Sequence, residues 1–177
     1  SKRASVLAIN ASNGVAAWEV ALPFEVIETQ VCGDLFFVGN LRKGGTAAAI
    51  DLATGKLAWQ ASLPITVPGD RRENRARLAW DGEHLHLFAT APRGGNDLKD
   101  FVVDMKSGSL VEARPFAKTY LDRRLHIAFG KQIAFFSTPA GEAFEYSLPD
   151  GKVTPHAKVP NAGGDEGNSE LKLAEPW

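Results

Sequence analysis

The run Ala8-Ile9-Asn10-Ala11-Ser12-Asn13-Gly14-Val15-Ala16-Ala17-Trp18 returns forty-one residues later as Ala49-Ile50-Asp51-Leu52-Ala53-Thr54-Gly55-Lys56-Leu57-Ala58-Trp59. Strand-like units repeating at this period form small sheets that cannot bury both faces alone and must stack on copies of themselves. Two fainter copies follow, Val103-Asp104-Met105-Lys106-Ser107-Gly108 and Tyr146-Ser147-Leu148-Pro149-Asp150-Gly151, in the place of Ile50-Asp51-Leu52-Ala53-Thr54-Gly55. Each unit ends on a glycine, Gly14, Gly55, Gly108 or Gly151, set between two apolar alternating runs. That is the pattern of a hairpin whose tight turn needs a positive φ. Asn10, Asp51 and Asp104 precede their glycines by four residues and can accept hydrogen bonds from turn amides.

Strands read around these hairpins give a consistent architecture. A strand pair is expected at 5–10 and 15–22, followed by four-stranded antiparallel blades at 24–63, 76–117 and 124–159. Asp81-Gly82 marks the first hairpin of the second full blade. The third strand of that blade is expected at Phe101 to Met105. The fold class is therefore all-β, a β-propeller segment of about three and a half blades within residues 1–160. Residues 161–177 form a Gly-rich, acidic tail in which Glu170-Leu171-Lys172-Leu173 alternates like one further strand. A closed propeller needs about four to eight blades, so the ring is expected to be completed by a second copy, as a homodimer, or by further sequence of a longer chain.

The hairpin pattern Ala-x-Asp-x-x-Thr-Gly-x-x-x-Trp resembles the repeat of pyrroloquinoline-quinone-like β-propellers. That family includes quinoprotein dehydrogenases and non-enzymatic relatives such as periplasmic scaffold lipoproteins of outer-membrane protein assembly. The copy ending at Trp59 matches every defined position, whereas the first has Asn10 and Asn13 for the aspartate and threonine. The third and fourth copies have Glu112 and Pro155 where tryptophan would stand. The resemblance implies that Trp18 and Trp59 dock between neighbouring blades, a use suited to their large apolar area. It also implies a periplasmic or extracellular location.

Quinoprotein dehydrogenases of this kind carry a vicinal cysteine pair, a calcium site and a catalytic aspartate. Cys32 is the only cysteine, so that pair is excluded. Cys32 lies on an alternating run and reads as a buried structural thiol. Asp51 and Asp104 are turn residues. His84 and His86 share one strand face, a spacing that can bind metal, but further ligands are not near in sequence; a solvated or hydrogen-bonded face is the expectation. No hydrolase, nucleotide-binding or metalloprotease signature occurs. Neither a catalytic residue, a metal site nor a cofactor is expected.

Charge distribution carries more information. The chain has a formal net charge of −1, which argues against general nucleic-acid binding. No run approaches the roughly 18 apolar residues of a transmembrane helix. Yet eleven of its 20 Lys and Arg residues fall in or beside the connections between second and third strands and between blades, which emerge on one face. Among them are Arg42, Arg77 and Lys99 and, on the connections themselves, Arg71, Arg72, Arg75, Arg93, Arg123 and Arg124. Asp70, Glu73, Asp97, Asp100, Asp122 and Glu142 are the acidic residues assigned to that face. Long loops on a rigid scaffold concentrate binding residues, and arginine favours bidentate carboxylate contacts. The expected function is non-catalytic: a scaffold whose six loop arginines bind an acidic surface of a protein partner. The alternatives are part of a quinone- or metal-dependent oxidoreductase propeller and the ligand-sensing ectodomain of a larger protein.

Overall fold

The computed structural model describes residues 4–42, 44–65, 67, 76–90, 98–117, 126–137 and 143–156. All regular structure among them is β. The first sheet pairs β1 (Ala4–Ile9) with β2 (Ala16–Leu22). The second runs β3 (Glu28–Cys32), β4 (Leu35–Asn40), β5 (Thr46–Asp51) and β6 (Leu57–Ser62) in spatial order. The third holds β7 (Arg77–Trp80), β8 (His84–Thr90), β9 (Leu98–Asp104) and β10 (Leu110–Ala117), and the fourth β11 (His126–Phe129), β12 (Ile133–Ser137), β13 (Ala143–Ser147) and β14 (Val153–His156). Every pairing is antiparallel between sequence neighbours. The described residues thus form a partial propeller, half a blade followed by three whole ones. No helix among the described residues is long and apolar enough to cross a membrane.

Stacking explains why the strands do not all alternate. In β5 the consecutive residues Ala47, Ala48, Ala49 and Ile50 are all fully buried. Ala47 and Ala49 join Phe37 in a core that reaches Leu85 and Phe101 of the third sheet and Tyr146 of the fourth. Ala48 and Ile50 pack with Val38, Leu22 and Trp18 toward the first sheet. A strand covered on both faces loses the apolar-polar alternation of a half-exposed one. β1, which among the described residues has a neighbour on one face only, alternates in burial, with Leu7 and Ile9 exposed.

At one end of the second sheet, the turn between β4 and β5 is tied to the chain leaving β6. Leu63 N–H donates to Gly45 O at 2.8 Å, and Val67 N–H to Leu41 O at 3.0 Å. Connections between second and third strands and those between blades therefore leave at a common end, as antiparallel order requires. A strand boundary that differs from the expectation is that of β9, which begins at Leu98 rather than Phe101. Its early residues Leu98-Lys99-Asp100 look like polar loop, but Leu98 and Asp100 are both fully buried. Asp100 is consequently an interior residue and not one of the exposed acidic residues at that end.

Candidate functional site

The repeat motif makes the seams between blades. In the turns, Asn10 Oδ1 accepts from Ser12 N at 2.9 Å, Asp51 Oδ1 from Thr54 N at 2.8 Å, and Asp104 Oδ1 from Lys106 N and Ser107 N, both at 2.8 Å. Hydrogen bonds from Thr54 hold the Asp51 carboxyl below its ordinary range. These side chains shape turns, as the spacing indicates. The fourth copy exchanges the partners, with Asp150 in the place of Thr54 and hydrogen-bonded to Ser147.

Each of the three later turns receives a side chain from the outer strand of the preceding blade. The Trp18 indole N–H donates to Leu52 O at 2.9 Å, and that of Trp59 to Met105 O at 2.7 Å. Both rings lie flat on the motif glycine. A Cβ at Gly55 would come within 2.5 Å of Trp18 Cγ, and one at Gly108 within 2.5 Å of Trp59 Cδ2. Glycine is required twice over here, by φ values of 70° and 72° and by the ring above.

Sequence spacing alone misses how the third seam is closed. Glu112 does occupy the register of Trp59, pairing with Val102 beyond a bulge as Trp59 pairs with Ala49. The docking side chain, however, is Arg114, two residues further along the same face. Its Nη1 donates to Leu148 O at 2.7 Å and Nη2 to Pro149 O at 3.1 Å, while its Cδ covers Gly151. Glu112 orients it, accepting from Nε at 2.8 Å. An arginine can replace tryptophan because both offer a flat group and an N–H for the same carbonyl. The glutamate two positions before it is the signal that could have found it.

Conformation and contact can be separated at the first two turns. Gly14 and Gly55 share a φ of 70°, but a Cβ at Gly14 would meet nothing within 4 Å. Gly14→Ala is expected to cost about 1 kcal/mol from backbone strain. Gly55→Ala, which must also lift Trp18, should cost about twice that or more. Thermal melts of the two variants check the difference.

The third and fourth blades share a buried polar network. His86 on β8, Asp100 on β9 and Tyr146 on β13 are 1%, 0% and 0% exposed. His86 Nδ1 lies 2.9 and 3.1 Å from the two Asp100 oxygens, and its Nε2 lies 3.2 Å from Asp81 Oδ2. The Tyr146 hydroxyl crosses the seam and donates to Asp100 Oδ2 at 2.8 Å. Burial first, then the Asp100 charge and hydrogen bond, push the Tyr146 phenol far above its ordinary range, so it keeps its proton and donates it to Asp100, while its oxygen is hydrogen-bonded by Arg114. The expected hydrogen-bonded face for the histidine pair is met at His86, in the interior. Among the described residues no cluster of His, Cys, Asp and Glu could hold a metal ion. Cys32 is buried, and burial pushes its thiol up to about 12, as befits an inert structural residue.

Arg71, Arg72, Arg75, Arg93, Arg123 and Arg124 lie outside the described residues, as do Lys43, residues 91–97 and residues 157–177, which include the tail expected at 161–177. Arg42, Arg77 and Lys99 are described and partly exposed, on the end of the sheets where those connections leave.

Comparison with solved structures gives the same architecture. BamB from Moraxella catarrhalis superposes with a TM-score of 0.56 at 18% identity, over 84% of this chain and 45% of that one. The dihydro-heme d1 dehydrogenase NirN, solved in complex with DHE, gives 0.57 at 15% identity, over 86% of this chain and 32% of that one. The chain thus spans less than half the length of either. At these identities the likeness concerns the fold. Among curated proteins, none matches the sequence significantly. The family profile described as outer membrane protein assembly factor BamB, in contrast, matches residues 1–173. With its motif turns, interblade tryptophans and stacked four-stranded sheets, the chain belongs to the BamB family of pyrroloquinoline-quinone-like β-propellers.

Proposed function

We propose that this chain is part of a non-catalytic propeller scaffold that holds a protein partner through basic loops at one end of its sheets. The partner surface is acidic, and Arg71, Arg72, Arg75, Arg93, Arg123 and Arg124 contact it. The observation that carries this reading is the stapled stack. Trp18, Trp59 and Arg114 each grip the following blade, so the connections leaving the sheets spring from a frame with fixed spacing. Arg77 and Lys99, both partly exposed, support the reading by adding positive charge at that end, and Asp100, an acidic residue of the sequence tally, is withdrawn into the core. Family membership supports a scaffold role in outer-membrane protein assembly, and with it a periplasmic location. The likeness to NirN is one of fold and does not favour an oxidoreductase. The ring is completed by further sequence or by a second copy.

Binding of the intact protein to immobilised polyglutamate, as a probe for acidic surfaces, tests the assignment. The parent should bind at low salt and elute as salt rises, because exposed charge pairs are screened within about 10 Å at 0.1 M. The triple variant Arg71→Glu, Arg72→Glu, Arg75→Glu should fail to bind while melting at the same temperature. Equal retention of the two proteins would refute the basic-face reading.

A further inference from the structure

A neutral imidazole has one N–H and one lone pair, so it can donate to only one acceptor. His86 has carboxylate oxygens against both nitrogens, Asp100 at Nδ1 and Asp81 at Nε2. The Asp81 carboxylate cannot turn away, because its Oδ1 is held at 2.7 Å by both Glu83 N and His84 N of the hairpin turn. Nor can Asp100, which is fixed by Tyr146 from the neighbouring blade. With either tautomer of the neutral ring, a nitrogen lone pair would face a carboxylate in a site closed to water.

We propose that His86 is held as a buried imidazolium between Asp81 and Asp100, and that loss of its proton loosens the seam between the third and fourth blades, making this seam a pH-sensitive joint. The groups that face the ring are Asp81 from the turn before β8 and Asp100 from β9. Behind Asp100 stand Tyr146 from β13 and, in contact with Tyr146, Arg114 from β10. When the proton leaves, Asp100 remains a fully buried carboxylate without its charged neighbour, and the cost falls on the bond that Asp100 makes across the seam, to Tyr146. Burial opposes the charged ring, but hydrogen bonds and charge from Asp100, followed by those from Asp81, outweigh it and hold the His86 pKa above its ordinary value. A raised folded value means that the stabilisation is complete below the unfolded histidine's 6.5 and is lost as pH rises through the folded value. Asp81, whose hydrogen bonds outweigh its burial and lower its pKa, contributes at the opposite limit. Its share is present above 3.8 and disappears as pH falls through the lowered value.

Long-range nitrogen-15 NMR of the histidine-labelled intact protein reads the ring directly. His86→Gln assigns the signal by its disappearance, and Asp81→Asn supplies a second variant that keeps the turn's Oδ1 acceptor. At pH 6.5, the ordinary histidine midpoint, most of the His86 rings should carry protons on both nitrogens in the parent. In Asp81→Asn the amide can donate to Nε2, so the ring should become neutral at a pH at least one unit lower. A single protonated nitrogen in the parent at pH 6, or an unchanged titration midpoint in Asp81→Asn, would overturn the proposal.

Discussion

Trp59→Ala is expected to lower the unfolding free energy of the intact protein by about 3 kcal/mol, near the lower end for truncating a large aromatic because the ring is only partly buried. The ring does three things at once. Its N–H satisfies Met105 O at 2.7 Å, its face covers Gly108, and its edge meets the Phe37 ring at a centroid distance of 6.3 Å. Removal therefore leaves a carbonyl without its donor beside a 2%-exposed methionine and opens a gap between the second and third blades. Arg114→Ala at the next seam should cost less, about 1–2 kcal/mol, since the guanidinium carries less apolar area to the contact. Urea unfolding followed by tryptophan fluorescence and by circular dichroism checks the order. A smaller loss for Trp59→Ala than for Arg114→Ala would mean that the seams do not depend on the docked ring.

The blades were legible because their turns are chemically explicit. An Asx acceptor, a glycine and two flanking apolar runs leave few alternatives, and the same residues that signal the turn also receive the neighbouring tryptophan. What escaped the sequence is where polarity serves the interior. Lys99-Asp100 reads as loop because charged residues are seldom buried, and it is His86 together with Tyr146, the latter from forty-six residues away, that makes a buried aspartate tolerable there. Arg114 escaped for a related reason. The docking position had been anchored to a fixed offset from glycine, while the chain moved the donor along by two and converted the old position into its carboxylate support. His86 was visible as half of a pair with His84, but alternation identifies a face without saying whether that face is wet. Loop arginines present the reverse case: composition and topology suggest their common end, and a binding role for them rests on experiment.

Asp100→Ala is expected to be the most damaging single substitution among the described polar residues, at about 3–5 kcal/mol. The variant deprives two buried donors of one acceptor, the Tyr146 hydroxyl and His86 Nδ1, and water cannot replace it where all three residues are at most 1% exposed. Tyr146→Phe removes one donor and leaves Asp100 with His86, so it should cost only about 1–2 kcal/mol. The two substitutions are therefore not independent. Once Asp100 is gone, the hydroxyl proton has lost its acceptor, and deleting the hydroxyl should restore part of the loss. A double-mutant cycle by urea unfolding should give a coupling of at least about 1 kcal/mol. Simple additivity would show that the bond across the seam contributes nothing. Coupling of the expected sign would place the junction of the third and fourth blades under the control of a polar bond, where the two preceding junctions depend on a docked indole.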